Sequence, residues 1–302
     1  MGKFIVEGGL KLNGEITPQG AKNEALQVIS ATLLSDEKIT INKIPNIRDV
    51  NKLISLLSDL GVKVEKLGPE SYSFQANNID IDYMRTEQFK EQASSLRGSV
   101  MIMGPLLARF GQAYLPQPGG DKIGRRRLDT HFIGLMKLGA DFNYNADEHF
   151  YSITAKKLKG AYMLLDEASV TGTANILMAA VLAEGITQIF NAACEPYLIQ
   201  LSRMLNRMGA KIEGVGSNLL TINGVKSLKG TNHTLLADMI EVGSFIGLAA
   251  MTQSEILIKD VDYSELGMIP NIFSRMGIKM ENRGDSIFVP AQEHYKIESF
   301  IE

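Results

Sequence analysis

The chain has 302 residues, an apolar fraction of 45% and a formal net charge of −3. That length suits two domains of ordinary size. No apolar run approaches the roughly 18 residues a membrane-spanning helix needs, and a mildly acidic chain is a poor match for a broad nucleic-acid-binding surface, so neither a membrane nor a nucleic acid is expected as a partner. A single cysteine, Cys194, excludes an internal disulfide, which makes a reducing cytoplasm the expected location. Cys194 itself reads as a small buried hydrophobe. Residues 1–7 lack the apolar core of a signal peptide.

Taken in order, the chain repeats itself. Gly20-Ala-Lys-Asn-Glu-Ala-Leu predicts a glycine opening an apolar helix, and the segment at 38–44 reads as a strand. Val50, Leu53, Ile54, Leu57 and Leu60 recur at helical spacing and predict an amphipathic helix. Gly61 should end it in a left-handed cap, before a strand at Val62-Lys-Val64. Both patterns return. Gly98, Gly172 and Gly243 each precede an apolar run, and Leu198, Leu201, Met204, Leu205 and Met208 form another amphipathic helix. Further strands are read at 185–190 and 255–260. Gly139, Gly209 and Gly277 follow at intervals of roughly 70 residues. Each unit is predicted to run strand, helix, strand, helix, strand, strand, and four such units fit in the chain.

The stretch Pro118 to His131 carries the chemistry. Lys122, Arg125, Arg126 and Arg127 surround one carboxylate, Asp121, in a loop with Gly119, Gly120 and Gly124. Guanidinium forks match phosphate and carboxylate groups. Taken alone, the stretch reads slightly better as a solvated basic loop. The helix starts add weight, because helix N-termini gather anions. Polar residues mark several of them: Lys22 and Asn23, Arg97, the run Ser169 to Thr173, and Asp238 with Glu241. A lysine at a helix start is unfavourable on dipole grounds, which points to an anionic ligand beside Lys22. Glu195, Asp238 and Glu241 are further candidates for the site, with helix capping the equal alternative for Asp238. His131, His149, His233 and His294 show no metal spacing. No metal or cofactor is expected, and His131 reads as well as a structural histidine as a ligand contact.

Gly20-Ala-Lys-Asn23, Ser95-Leu-Arg-Gly-Ser99, Gly104-Pro-Leu-Leu-Ala-Arg-Phe-Gly111, Pro118-Gly-Gly-Asp-Lys-Ile-Gly124, Asp129-Thr-His131, Asn191-Ala-Ala-Cys-Glu-Pro196 and Asp238-Met-Ile-Glu-Val-Gly-Ser-Phe245 together resemble the enolpyruvyl transferase family. The resemblance runs the length of the chain in family order. It implies a two-domain inside-out α/β barrel of βαβαββ repeats, shared with RNA 3′-phosphate cyclase-like proteins, with four of six repeats present. The first domain is expected over 22–230 and a second, incomplete one over 1–21 with 231–302. The implied reaction moves the enolpyruvyl group of phosphoenolpyruvate to the 3′-hydroxyl of UDP-N-acetylglucosamine and releases phosphate, the first committed step of peptidoglycan synthesis. By position, Lys22 and Arg126 would hold phosphoenolpyruvate with Arg97 nearby, and Asn23 would touch the sugar. Arg125, Arg126, Arg127, Leu128, Asp129 and Thr130, with Ser169, Val170 and Thr171, would lie against the UDP half. Asp121 falls where the family has a mobile-loop proton donor.

Three departures qualify the resemblance. The donor position, usually cysteine, is Asp121, so fosfomycin, which alkylates that cysteine in the family, is expected not to label this chain. Flanking cations lower an aspartate's affinity for its proton, so the loop is expected to close over substrate before Asp121 can act as an acid. Glu167 stands where a lysine often contacts the nucleotide. Finally, six units would need roughly 420 residues. The missing third is expected to hold the aspartate that deprotonates the sugar hydroxyl, together with further arginines. The second domain is then expected to be partner-dependent or poorly stable. A fragment that binds UDP-sugar without turnover is therefore the alternative. An RNA-phosphate enzyme ranks third, against the acidic charge and the lack of a nucleophilic histidine motif.

Overall fold

The computed structural model describes residues 3–117, 119, 127–146 and 149–299. It divides into two compact units, Lys22–Leu235 and the pair Met1–Ala21 with Leu236–Glu302. The chain opens with β1 (Asn13–Ile16). A first repeat follows as α1 (Lys22–Ala31), β2 (Ile39–Asn42), α2 (Arg48–Asp59), β3 (Lys63–Gly68) and β4 (Ser71–Gln75). The second holds α3 (Glu87–Ser94), α4 (Met103–Phe110), β5 (Gln112–Pro116), α5 (Asp129–Lys137), β6 (Asp141–Asn145) and β7 (Phe150–Thr154). The third is β8 (Tyr162–Leu164), α6 (Val170–Ala180), β9 (Ile186–Phe190), α7 (Pro196–Arg207), β10 (Lys211–Glu213) and β11 (Leu219–Asn223). Last come β12 (Asn232–Thr234), α8 (Met239–Met251), β13 (Glu255–Lys259), α9 (Ile269–Arg275), β14 (Glu281–Asn282) and β15 (Ser286–Val289).

In the larger unit the helices are inside and the sheets outside. Residues 172–180 of α6 are buried without a break, so beyond its first two residues that helix has no solvent face. It packs against α4 and α5, and α1 packs against α7. The strands alternate instead. In β9, Thr187 and Ile189 are buried while Ile186, Gln188 and Phe190 are exposed, which is the period-two pattern of a sheet with one wet face. Each fully buried Leu, Ile or Met contributes about 1.5–3 kcal/mol relative to exposure, and α6 supplies Ile176, Leu177 and Met178 together.

The third repeat builds a four-stranded sheet, ordered β10-β11-β9-β8, from its own residues. The first sheet is ordered β12-β2-β4-β3. Its outer strand comes from the far end of the unit, with Asn232 opposite Thr40 in parallel register. The second sheet, β5-β7-β6, has three strands among the described residues. The segment before it folds as short 3₁₀ turns and α3 in place of the expected opening strand. The four-unit count holds, but the strand-first order does not hold for every unit.

Two predicted helix starts move. The apolar run from Gly98 begins as a 3₁₀ turn, Arg97–Ile102, and α4 starts only at Met103. Pro105 explains this, because proline lacks an N–H and is tolerated only in a helix's first turn. Gly243 lies inside α8, whose cap is Asp238: its Oδ1 accepts from the Ile240 N–H at 2.9 Å. The amphipathic helices end as expected. Gly61 and Gly209 adopt φ values of 105° and 104°, a region open to glycine and strained for other residues. Cys194 is exposed, not buried. It sits in the turn between β9 and α7, where Ala192 and Ala193 take the interior places.

The smaller unit has one sheet, ordered β1-β13-β15-β14. Its opening strand is β1, parallel to β13 with Asn13 opposite Glu255. Val242 and Ile246 of α8 join Ile256, Ile258, Ile287 and Val289 in its own core. No helix among the described residues is long and apolar enough to cross a membrane.

Candidate active site

In the third sheet the parallel strands β8 and β9 lead into α6 and α7, so those two helices start from the same end of the sheet, the end at which ligands bind in α/β sheets. The N-terminal turns of α1, α2, α5, α6 and α7, with the 3₁₀ turn at Arg97, line one cavity of about 520 Å³. This lies within the usual size of a small-molecule site. Its wall includes Lys22, Asn23, Arg97, Arg127, Leu128, Ser169, Val170 and Thr171. Three cations (Lys22, Arg97, Arg127) face two carboxylates (Asp49, Glu167) there. Unpaired N–H groups at the helix ends add partial positive charge. The balance favours an anion.

Each side chain has a local cause for its place. Lys22 Nζ lies 3.6 Å from Asp49 Oδ2, and both side chains are about half exposed. A pair so open to water contributes little to stability, so Lys22 can exchange Asp49 for a ligand at low cost. Arg127 Nε donates to Asp129 Oδ2 at 2.6 Å. Thr130 Oγ donates to Glu167 Oε1 at 3.2 Å. Ser169 caps α6 by accepting from the Gly172 N–H.

His131 does not line the cavity. It is 1% exposed, and burial, assisted by the Arg97 guanidinium, pushes its pKa down to about 3. The ring is therefore neutral at physiological pH. Its Nδ1 faces Asn175 Nδ2 at 3.0 Å and its Nε2 faces Thr171 Oγ1 at 3.1 Å.

The remaining candidates are placed as follows. Glu195 stands before the first residue of α7 without capping it, and its Oε2 is buried with no hydrogen-bond partner among the described residues. Asp238 and Glu241 belong to the other unit. There Asp238 caps α8, and Glu241 Oε2 accepts from the Gln19 N–H at 2.7 Å. Asp121, Arg125 and Arg126 lie outside the described residues. Among the described residues, no group of His, Cys, Asp and Glu is arranged to hold a metal ion.

The sequence reading missed Gln27, Met101, Asp49 and Tyr197, all of which line the cavity. Gln27 had a signal. It follows Asn23 by four residues and so shares its helix face. Its Oε1 is buried without a hydrogen-bond partner among the described residues.

Comparison with known proteins agrees with this geometry. A family model described as EPSP synthase (3-phosphoshikimate 1-carboxyvinyltransferase) matches residues 6–300. A UDP-N-acetylglucosamine 1-carboxyvinyltransferase from Bacteroides fragilis is 66% identical over 302 residues, covering 100% of this chain and 70% of the relative. The protein of that name from Porphyromonas gingivalis is 61% identical with the same coverage. The one from Treponema pallidum is 42% identical over 297 residues, 98% of this chain and 68% of its own. Among solved structures, the enolpyruvyl transferase NikO from Streptomyces tendae superposes with a TM-score of 0.81 at 20% identity, over 95% of this chain and 67% of that one. EPSP synthase from Acinetobacter baumannii gives 0.71 at 20% identity, over 95% and 66%. At that identity these two establish the fold alone. By sequence and by fold, the chain belongs to the enolpyruvyl transferase family, among the UDP-N-acetylglucosamine 1-carboxyvinyltransferases.

Proposed function

We propose that this chain transfers the enolpyruvyl group of phosphoenolpyruvate to the 3′-hydroxyl of UDP-N-acetylglucosamine and releases phosphate. The observation that carries this reading is 66% identity, along all 302 residues, with a relative named for that reaction. The cavity's chemistry supports it. Both substrates are anions, and helix N-termini with Lys22, Arg97 and Arg127 suit phosphate and carboxylate oxygens. In this reading Lys22, Arg97 and Arg126 hold phosphoenolpyruvate, and Asn23 contacts the sugar. Arg125 and Arg127 to Thr130, with Ser169 to Thr171, hold the nucleotide. Asp121 gives the methylene carbon its proton, which prepares the neighbouring carbon for attack by the sugar hydroxyl.

The test is to mix the purified chain with both substrates and follow phosphate release, with binding of UDP-N-acetylglucosamine measured separately by calorimetry. Phosphate release that Lys22→Ala removes supports the reading. Binding without release would keep the site and refute the turnover. Absence of both would refute the reading.

A further inference from the structure

Asn175, in the middle of α6, is fully buried. Its Oδ1 accepts from the Gly104 N–H at 2.6 Å, and its Nδ2 donates to the Val100 carbonyl at 2.9 Å. These two bonds fix the amide orientation, because the flipped amide would set oxygen against oxygen and N–H against N–H. Nδ2 is thus a donor where it meets His131 Nδ1 at 3.0 Å. Nδ1 must accept, so the proton of the neutral ring sits on Nε2. That proton goes to Thr171 Oγ1, 3.1 Å away. The hydroxyl of Thr171 accepts from His131 and must send its own proton elsewhere. Thr171 is exposed and lines the cavity, and His131 is its side chain's one hydrogen-bond partner among the described residues.

We propose that Thr171 is a specificity-determining hydrogen-bond donor to an anionic oxygen of the ligand, and that Asn175 and His131 are positioning residues that hold its hydroxyl in that role. A free threonine hydroxyl rotates between donating and accepting; this one is held as a donor. On the second residue of α6, it adds an O–H to backbone N–H groups that already point at the cavity. The set is matched to a phosphate oxygen and poorly matched to a cation or an N–H donor. The proposal rests on the functional reading above, which supplies a diphosphate as the ligand.

Two measurements test it. Nitrogen-15 NMR of labelled protein at neutral pH reads the His131 tautomer directly. Protonated Nε2 and bare Nδ1 are expected, and the reverse tautomer would overturn the relay. Calorimetric titration with UDP then compares the wild type with Thr171→Val, which keeps the shape and loses the donor, and Thr171→Ser, which keeps the donor. A hydrogen bond to a charged group implies a loss of about tenfold or more for the valine variant and about threefold or less for serine. Equal UDP affinity in wild type and Thr171→Val overturns this proposal alone. If UDP does not bind the wild type, the functional reading fails and takes the proposal with it.

Discussion

Removing the Asn175 side chain amide is expected to cost the larger unit about 3–5 kcal/mol of stability. In Asn175→Ala, three groups lose their partner together: the Gly104 N–H, the Val100 carbonyl and His131 Nδ1. Water cannot replace the amide easily, since Asn175, Val100 and His131 are at most 2% exposed. An unsatisfied buried polar group costs about 1–3 kcal/mol, and three give about 3–9 before relaxation. Rotation of the imidazole and a small shift of the 3₁₀ turn relieve part of this, which sets the lower range. Whole domains are stable by only about 5–15 kcal/mol, so the variant should unfold at markedly lower urea. The assay is urea unfolding followed by circular dichroism, because the chain has no tryptophan. Asn143→Ala, on the exposed face of β6, serves as the control and should change stability by about 0.5 kcal/mol or less. A loss below about 1 kcal/mol for Asn175→Ala would show that the network does not hold α4 and α6 together.

Other outcomes follow from the same geometry. Gly61→Ala should destabilise more than Gly209→Ala in urea unfolding. Both sit at strained φ, but a Cβ on Gly61 would lie 2.2 Å from the Asn78 carbonyl oxygen while one on Gly209 meets nothing within 4 Å; equal losses would contradict this. His131 titrates near 3 in the fold against an ordinary 6.5, so the unfolded chain binds the extra proton between those values. Its contribution is therefore complete above pH 6.5 and lost as pH falls toward 3, by about 1.4 kcal/mol per pH unit at most. His131→Gln should flatten stability against pH between 6 and 4, and an unchanged slope would refute the buried neutral histidine. Glu167→Gln removes a carboxylate from the cavity wall and keeps an acceptor for Thr130. It should tighten UDP binding about two- to tenfold, more at low salt; weaker binding would place Glu167 in direct service of the ligand.

Much of this was legible in the sequence, and the failures have physical reasons. The period of Val50, Leu53 and Leu57, and of Leu198, Leu201 and Leu205, reports a single buried face, and those residues are buried. The glycines after those helices were equally readable, because the left-handed turn has few other occupants. Helix starts were misread at Gly98 and Gly243 because an apolar run says where a helix is buried, not where it begins. Pro105 and Asp238 carry that information. Within the site, Lys22, Asn23, Arg97 and Ser169 to Thr171 were found through their places at helix starts and their resemblance to family motifs. Met101 and Tyr197 were lost in the apolar periodicity. The role of His131 depends on Asn175 and Thr171, which lie 44 and 40 residues away, and no local pattern announces such pairings. The exchange of outer strands, with β12 closing the first sheet and β1 the fourth, is likewise a long-range choice.

In the proposed function, the cavity at the helix N-termini binds a sugar nucleotide. Titrating the purified chain with UDP-N-acetylglucosamine in a calorimeter, beside an Arg127→Ala and an Asn23→Ala variant, is the decisive test. One site per chain is expected, weakened by both substitutions and by salt. A chain that binds no UDP-N-acetylglucosamine, or binds it equally well after both substitutions, would contradict it.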